Sequence, residues 1–171
     1  MNAAQIETSD KTKNGGKYLT FALGKEEYGL EILKVREIIG IMDITFVPNT
    51  PAHIRGVINL RGQVICVVDL RNRFAMESVP RTEHTCIIVV EIQGDGRRVS
   101  MGIIVDRVSE VLSIPSQQIE DPPDFGVRLD TSFILGMGKV GQSVKILLDI
   151  DKVLSAEQVV EAASIAELKT A

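Results

Sequence analysis

The sequence contains no tryptophan, two cysteines, two histidines, five phenylalanines and two tyrosines among its 171 residues. It also has no run of about 18 apolar residues, the length that a membrane-spanning helix needs. Its N-terminal segment has no apolar stretch of the kind that signal peptides contain. Cys66 and Cys86 lie inside apolar runs, so we interpret them as small core residues rather than as a disulfide or a metal site. We therefore expect a cytoplasmic protein that does not insert into the membrane.

An excess of positive charge is also absent. The formal net charge is −4, and Lys and Arg form no block that would supply the attraction on which phosphate-backbone binding depends. A barrel that binds single-stranded nucleic acid would also need a basic face with aromatic rings for base stacking. We therefore expect no nucleic-acid partner.

Catalytic and cofactor motifs are missing as well. His53 and His84 have no metal-ligand spacing, and no glycine-rich phosphate loop precedes a helix. Asp69, Asp106 and Asp149 each follow an apolar run. As paired carboxylates they would make an enzyme and would converge in one pocket. As strand-end residues they would instead accept hydrogen bonds from turn amides, the interpretation that we favour. We expect no enzymatic activity, no cofactor and no metal.

What the sequence does contain is a series of short apolar runs rich in Val, Ile and Phe. Gly, Pro, Asn and Asp separate these runs at intervals of about ten residues, which predicts an all-β fold. The clearest predicted strands are 18–23, 28–32, 35–41, 63–70, 85–92, 99–105, 108–114 and 144–150. Two helical segments are also predicted. One is a turn after Pro51 in AHIRG that ends at Gly56, and the other is a short C-terminal helix that starts at the capping-box pattern of residues 155–158.

Two parts of the sequence resemble each other. The first part contains Gly29, Leu30, Ile32, Val35, Glu37, Ile38 and Ile39, which correspond, 73 positions later, to Gly102, Ile103, Val105, Val108, Glu110, Val111 and Leu112. At an offset of 80, Ile54 and Gly56 correspond to Ile134 and Gly136, and residues 67–70 to residues 147–150. The offset changes at residues 121–128, where an insertion in a surface loop is tolerated. The repeat predicts two copies of one β unit, each of about five strands, packed against each other.

Four stretches carry a more specific resemblance. They are FALGKEEYGLEILKVREIIG (21–40), VPNTPAHIRGVINLRGQVICVVDLRNRF (47–74), MGIIVDRVSEVLSI (101–114) and FILGMGKVGQSVKILLDIDKVL (133–154). In this order the sequence closely resembles the CheW family, the adaptor or coupling proteins of bacterial chemotaxis. The resemblance covers roughly residues 16–155. NLRG followed by VDLR, after a start of the form FxLGxExYGL, is a combination specific to this family. NLRG alone would be a weak indication of it.

The resemblance implies two intertwined five-stranded SH3-like barrels with a short C-terminal helix, in agreement with the repeat. The chain then divides into a flexible N-terminal tail (1–15), a CheW-like domain of two barrel subdomains (16–155), and a C-terminal helix and tail (156–171). The resemblance also implies an adaptor that is monomeric when free. Such a protein links the cytoplasmic hairpin tip of a chemoreceptor (a methyl-accepting chemotaxis protein) to the regulatory domain of the histidine kinase CheA, and receptors recruit it to the inner face of the membrane.

By position, the interaction residues of the family fall on two sets in this sequence. The positions for which we prefer the receptor as partner are Val35, Glu37, Arg61 and Val108, the last of them through the repeat. The positions that contact either receptor or kinase are Gly56, Asn59, Leu60 and Gly62.

Among these positions, Arg61 gives the most specific structural expectation. We expect Gly62 to allow a tight turn between two strands, so that Arg61 projects from the turn. Its guanidinium would then pair with a carboxylate, either on the receptor tip or on Glu37 of this chain. An exposed Arg61 would serve binding, whereas a buried and internally paired Arg61 would be a structural clamp. We favour the binding role.

One alternative keeps the fold and changes the pathway. A CheW-like paralogue would scaffold a non-flagellar chemosensory pathway, for surface motility or for second-messenger output. The two alternatives differ in which receptor array the protein joins.

Overall fold

The protein is built mainly from short strands over the residues that the computed structural model describes, which are 15–94, 96–123 and 131–154. Within these ranges the strands are β1 (Gly16–Leu23), β2 (Glu26–Glu31), β3 (Val35–Gly40), β4 (Ile54–Leu60), β5 (Gln63–Asp69), β6 (Cys86–Gly94), β7 (Arg97–Val105), β8 (Arg107–Ile114), β9 (Ile119–Glu120), β10 (Ile134–Val140) and β11 (Ser143–Leu148). The short helical segments are Ile32–Lys34, Leu70–Arg73, Ser116–Gln118 and Ile150–Val153. The predicted all-β class is confirmed.

The strands form two sheets, and the two halves of the sequence exchange strands between them. One sheet has the order β3-β6-β7-β5-β4 and the other has the order β8-β1-β2-β11-β10-β9; we call them the first barrel and the second barrel. Strands β1 to β5 correspond by the repeat to β6, β7, β8, β10 and β11. Under this correspondence the order of the first barrel becomes that of the second. The predicted intertwining is therefore confirmed, with the two-residue strand β9 as an addition to the second barrel.

The correspondence holds at the level of single residues. Gly29 lies opposite Leu147 in the parallel pair of β2 and β11, and Gly102 lies opposite Val67 in the parallel pair of β7 and β5. A Cβ atom on Gly29 would lie 2.8 Å from a side-chain carbon of Leu147, and one on Gly102 would lie 2.8 Å from a side-chain carbon of Ile87. Both glycines are thus needed for close packing in the same place of the two units.

The core has three clusters of buried apolar side chains. One cluster lies inside the first barrel and consists of Ile58, Ile65, Val67, Ile87, Val89 and Ile104. Another lies inside the second barrel and consists of Tyr18, Ile114 and Leu147. The largest contains residues of both barrels, among them Leu19, Phe21, Leu30, Val68, Ile88 and Ile103. We call this largest cluster the inter-barrel core, and it ties the two barrels together because separating them would expose it to water.

The helical turn predicted for AHIRG is wrong. Strand β4 begins at Ile54, whose N–H donates a hydrogen bond to the carbonyl oxygen of Pro51 at 3.0 Å. The pairing of β4 with β5 shifts register between Ile54 and Gly56, and the pairing of β10 with β11 shifts at the equivalent place. A bulge of this kind interrupts the period of two that identifies a strand. At both shifts a glycine lies at the bulge and has no side chain to show the pattern, and neither β4 nor β10 was among the predicted strands.

Two predicted segments lie outside the described residues. They are the N-terminal tail, except for residue 15, and the C-terminal helix with its capping box. The division of the chain at these two places stays a prediction.

Candidate partner-binding surface

Arg61 and Gly62 form the two-residue turn between β4 and β5. Their φ angles are 51° and 87°, and two positive φ angles are typical of a type I′ turn, whose twist matches that of the flanking strands. Gly62 adopts this conformation without steric cost, and its N–H donates a hydrogen bond to Oδ1 of Asn59 at 2.8 Å. The side chain of Arg61 is 69% exposed. The prediction that Gly62 makes a tight turn from which Arg61 projects is confirmed.

Arg61 pairs with a carboxylate of the same chain. Its Nη2 donates a hydrogen bond to Oε2 of Glu37. Because Glu37 lies on β3 and Arg61 lies in the turn after β4, the pair links one edge strand of the first barrel to the end of the other. The side chain of Glu37 is 29% exposed, so the pair is open to solvent on the side of Arg61. Pairs of this kind contribute at most about 1 kcal/mol to stability.

Of the other candidate positions, Leu60 is partly buried and Gly56 is buried. Leu60 packs against the cluster inside the first barrel. Gly56 is buried with a φ of 142°, and a Cβ atom there would lie 2.0 Å from the carbonyl oxygen of Thr45. Thr45 and Val57 exchange two backbone hydrogen bonds at 2.8 and 2.9 Å. Gly56 therefore lets the segment at Thr45 lie directly against β4.

Val35 and Val108 occupy equivalent positions on the two barrels. Each is partly buried and packs against the inter-barrel core. Further along the same strands, β3 and β8, Ile38 is 45% exposed and Val111 is 50% exposed. We did not name Ile38 and Val111 as candidate contacts from the sequence. The repeat could have found them, because it pairs Ile38 with Val111 and each follows its predicted contact valine by three residues.

The strand-end aspartates contact backbone amides and an arginine. Asp69 and Asp149 accept hydrogen bonds from the backbone N–H groups of Arg71 and Lys152 and cap two short helical turns. Asp106 accepts two hydrogen bonds from the guanidinium of Arg71, at 2.8 and 2.5 Å. The prediction that such aspartates accept from turn amides is confirmed for Asp69 and Asp149.

The same contacts test the alternative that the strand-end aspartates are paired catalytic carboxylates of an enzyme. Asp69 and Asp106 do line one cavity, of about 260 Å³. The hydrogen bonds from Arg71, however, hold the pKa of Asp106 below its usual value, with a smaller contribution from the backbone N–H of Gly24. A general acid needs a raised pKa instead. The cavity is suited to an ion-pair network rather than to acid catalysis.

An apolar groove of about 480 Å³ lies where the two barrels meet. We call it the aromatic groove and define it by Tyr28, Phe74, Met76, Phe133, Ile134 and Ile146, with Arg73 at its rim. The ring centroids of Tyr28 and Phe74 lie 6.0 Å apart, and those of Phe74 and Phe133 lie 5.5 Å apart. Sequence reasoning did not name the residues of this groove, because its rings come from three segments that are distant in the sequence.

The described part of the chain contains two free cysteines, Cys66 and Cys86. There, no three His, Cys, Asp or Glu side chains lie close enough to hold a metal ion. No helix within it is long and apolar enough to cross a bilayer. Cys66 is a buried free thiol and Cys86 a partly buried one, and burial raises the pKa of the Cys86 thiol.

Several known proteins are similar to this chain. The family model described as the CheW-like domain matches residues 17–158. The chain is 46% identical over 144 residues to the chemotaxis protein CheW of Klebsiella aerogenes, covering 84% of each chain. It is 30% identical over 150 residues to the chemotaxis protein CheW of Treponema pallidum, covering 86% of each. The solved structure of the scaffolding protein TtCheW from Thermoanaerobacter tengcongensis is similar with a TM-score of 0.73 and 36% identity, over 84% of this chain and 95% of that one.

Proposed function

The chain belongs to the CheW-like domain family, and we propose that it is a chemotaxis scaffold that couples chemoreceptors to the histidine kinase CheA. Relatives named chemotaxis protein CheW and the similar scaffolding structure support the scaffold role. One observation carries the finer proposal: the exposed pair of Arg61 and Glu37 between the edge strands of the first barrel. This pair presents a positive group on the β4–β5 hairpin beside a negative group on β3, which suits recognition of a charged partner.

The receptor contact in this proposal uses Val35, Glu37 and Arg61, with Val108 as the related position on the second barrel. The guanidinium of Arg61 is held by a single hydrogen bond to Glu37, so its remaining N–H groups are positioned to bind a carboxylate on a receptor helix. Val35 supplies a partly exposed apolar side chain on the same strand as Glu37. Arginine next to apolar surface is a frequent combination in the energetically dominant part of protein interfaces.

The remaining four positions shape the hairpin. Asn59 and Gly62 hold the turn through their hydrogen bond, and Leu60 anchors β4 in the barrel interior. Gly56 allows the segment at Thr45 to lie directly against β4. In the proposal Asn59 and Gly62 contact the receptor or the regulatory domain of the kinase directly. Leu60 and Gly56 act by setting the position of the hairpin.

The proposed mechanism depends on geometry and involves no reaction step, no cofactor and no enzymatic activity. The protein is a cytoplasmic monomer when free, and receptors recruit it to the inner face of the membrane. Two barrels with separate surfaces allow one chain to hold a receptor and a kinase together. Linking two contacts in this way raises the local concentration of the second partner to the order of 1 mM.

Calorimetric titration with purified partners tests the proposal. The chain is titrated with a cytoplasmic receptor fragment, with the CheA regulatory domain, and with the second partner after saturation by the first. We expect both partners to bind and a ternary complex to form. Mutually exclusive binding would contradict the coupling role. If neither partner of a flagellar chemotaxis array binds, the protein serves a different chemosensory pathway, and the proposed pairing with that array is wrong.

A further inference from the structure

Two neighbouring cavities lie beside the first barrel and share two arginines, because Arg55 and Arg81 line both of them. The cavity of about 260 Å³ described above is also lined by Asp69, Arg71, Thr85 and Asp106, and we call it the arginine cavity. The other, of about 430 Å³, is also lined by Ile44, Phe46 and Pro51, and we call it the phenylalanine cavity. The eight described positions proposed above as receptor or kinase contacts do not line either cavity. The two cavities therefore form a separate region of the surface.

The carboxylates of the arginine cavity are paired within the protein. Asp106 accepts two hydrogen bonds from the guanidinium of Arg71, at 2.8 and 2.5 Å. Asp69 accepts one from the backbone N–H of Arg71 at 2.9 Å, and its other oxygen lies 3.4 Å from Nη1 of Arg55. Three guanidinium groups and two carboxylates line this cavity, which leaves one positive charge in excess although the whole chain carries a net charge of −4. A region with this charge attracts anions.

The guanidinium of Arg81 remains available for a ligand. Within the described ranges no hydrogen bond or ion pair involves its side chain, and the carboxylate of nearby Glu83 lies 3.5 Å from Nε2 of His84 instead. Arg55 is also largely available, because its side chain is 40% exposed and its contact with Asp69, at 3.4 Å, is a long hydrogen bond. Two guanidinium forks beside one cavity can together bind a group with several acceptor oxygens, such as a phosphate.

A hydroxyl group adds a further donor to the arginine cavity. Thr85 is partly buried, and its Oγ1 accepts a hydrogen bond from the backbone N–H of Thr82 at 2.9 Å. This contact fixes the oxygen and leaves the O–H group to donate. Threonine hydroxyls are frequent donors to phosphate oxygens, so the cavity combines two kinds of phosphate ligand.

The phenylalanine cavity supplies an apolar surface next to these donors. Phe46 is 71% exposed, and Ile44 and Pro51 line the same cavity. An exposed aromatic ring provides a face on which a planar base can stack. Because Arg55 and Arg81 line both cavities, a ligand with a phosphate at one end and a base at the other can contact all of these groups.

We propose that the two cavities form a binding site for a nucleoside phosphate, with the phosphate between Arg55 and Arg81 and the base against Phe46. The observation that carries the proposal is the pair of arginines with unused donors that both cavities share. The ligand is a single nucleotide, because a nucleic acid strand needs a continuous basic groove and the net charge of the chain is −4. Binding is reversible and does not depend on which partners the protein couples.

Titration of the ¹⁵N-labelled full-length chain, followed by NMR, tests the proposal. The probes are ADP, pyrophosphate and adenosine, at a salt concentration of about 0.15 M that screens weak attraction between surface charges. We expect ADP to shift the amide signals of residues 44–46 and 81–85. Because pyrophosphate and adenosine each contain only one of the two groups that the site recognises, ADP should bind about tenfold more tightly than either.

Two variants remove the two parts of the site separately. Arg81→Ala should weaken the binding of ADP and of pyrophosphate by about 10- to 100-fold. Phe46→Ala should weaken ADP binding about tenfold and leave pyrophosphate binding nearly unchanged. Both side chains are exposed, so Tm should change little. The matched control is Arg98→Ala, which removes an exposed arginine of the first barrel outside both cavities and should retain wild-type binding.

Several outcomes would overturn the proposal. One is the absence of ADP binding at millimolar concentration, and another is a set of shifted signals confined to residues outside the two cavities. Equal losses in Arg81→Ala and Arg98→Ala would identify a general attraction between charges and would overturn the site. Pyrophosphate that binds as tightly as ADP would show that Phe46 takes no part and would overturn the assignment to a nucleoside phosphate.

Discussion

Replacing Arg61 by alanine separates a binding role of this residue from a structural one. The Arg61 side chain is 69% exposed and its partner Glu37 is partly exposed, so loss of the pair should cost at most about 1 kcal/mol. For a chain of this size that corresponds to a decrease in Tm of no more than about 4 °C. A buried clamp would instead cost about 3 to 5 kcal/mol and lower Tm by roughly 6 to 20 °C. The positive φ angle at position 61 does not change the expected loss of stability, because alanine is as strained there as arginine.

Binding should respond far more than stability. A hydrogen bond to a charged group contributes about 1.5 to 3 kcal/mol, so Arg61→Ala should weaken receptor binding by about 10- to 100-fold. The matched control is Arg98→Ala, because Arg98 is 72% exposed and pairs with a glutamate, Glu91, at 3.4 Å on the same barrel. We expect Arg98→Ala to leave both Tm and receptor affinity nearly unchanged. The assays are calorimetric titration with a receptor fragment and thermal unfolding followed by circular dichroism.

A charge exchange tests whether Arg61 contacts the partner or only positions Glu37. The double variant Arg61→Glu with Glu37→Arg retains an ion pair across the edge of the barrel but reverses its direction. We expect stability close to the wild type and receptor binding as weak as in Arg61→Ala. Recovery of binding in the double variant would refute the reasoning, as would a large decrease in Tm in Arg61→Ala without loss of binding.

Three further predictions concern stability and titration. Gly56→Ala should lower the free energy of unfolding by about 3 kcal/mol or more, because the added Cβ meets a backbone oxygen 2.0 Å away. Gly62→Ala, where open space surrounds the added atom, should cost about 1 to 2 kcal/mol; equal urea midpoints of the two variants would contradict this. Hydrogen bonds from Arg71 lower the pKa of Asp106, so the stabilisation by Asp106 is present above its unfolded value of about 3.9 and is lost as the pH falls through its folded value. The stability difference between the wild type and Asp106→Asn should therefore be largest near neutral pH and shrink toward pH 3, and a constant difference across urea titrations would argue against the linkage. Burial, with the carboxylate of Glu31 as a second cause, raises the pKa of Tyr18 to about 12, so the stabilisation by its neutral phenol is lost as the pH rises from the unfolded value of about 10 through 12. Tyr18→Phe should remove the phenolate absorbance step near pH 12, and an unchanged titration curve would show the assignment to be wrong.

Because the two halves of the sequence exchange strands, the boundary between the repeats is not a boundary between two barrels. Strands β1 and β2 pair with β8 and β11 of the second half, while β3, β4 and β5 assemble with β6 and β7. Neither half of the sequence therefore contains a complete barrel, although the repeat divides the chain into two similar units. The ion pair of Arg71 and Asp106 lies at one crossing, because Asp106 follows β7 of the first barrel and precedes β8 of the second. A repeat in the sequence thus marks a structural unit here without marking an independent domain.

Strand prediction from the sequence succeeded where side chains alternate or form continuous apolar runs, and failed for β4 and β10, where a glycine without a side chain lies at a bulge. Strands β5, β6 and β7 are continuous apolar runs and were predicted to within a few residues. Strands β4 and β10 contain bulges at Gly56 and Gly136, and there the pattern does not show a strand. For the candidate surface, the turn at Arg61 and Gly62 was predicted because it depends on two adjacent residues.

The sequence by itself determined the all-β class, the repeat, the turn that exposes Arg61, and the amide-capping role of Asp69 and Asp149. These features depend on φ preferences, hydrogen bonds and side-chain alternation over a few neighbouring residues. Only the tertiary structure showed that Arg61 pairs with Glu37, because Glu37 is 24 residues away and reaches it only when the sheet closes. Likewise only the assembled barrels bury Gly56 under Thr45 and bring Phe74 and Phe133 together. Contacts between distant segments depend on the order of strands in the sheets, and local patterns do not specify that order.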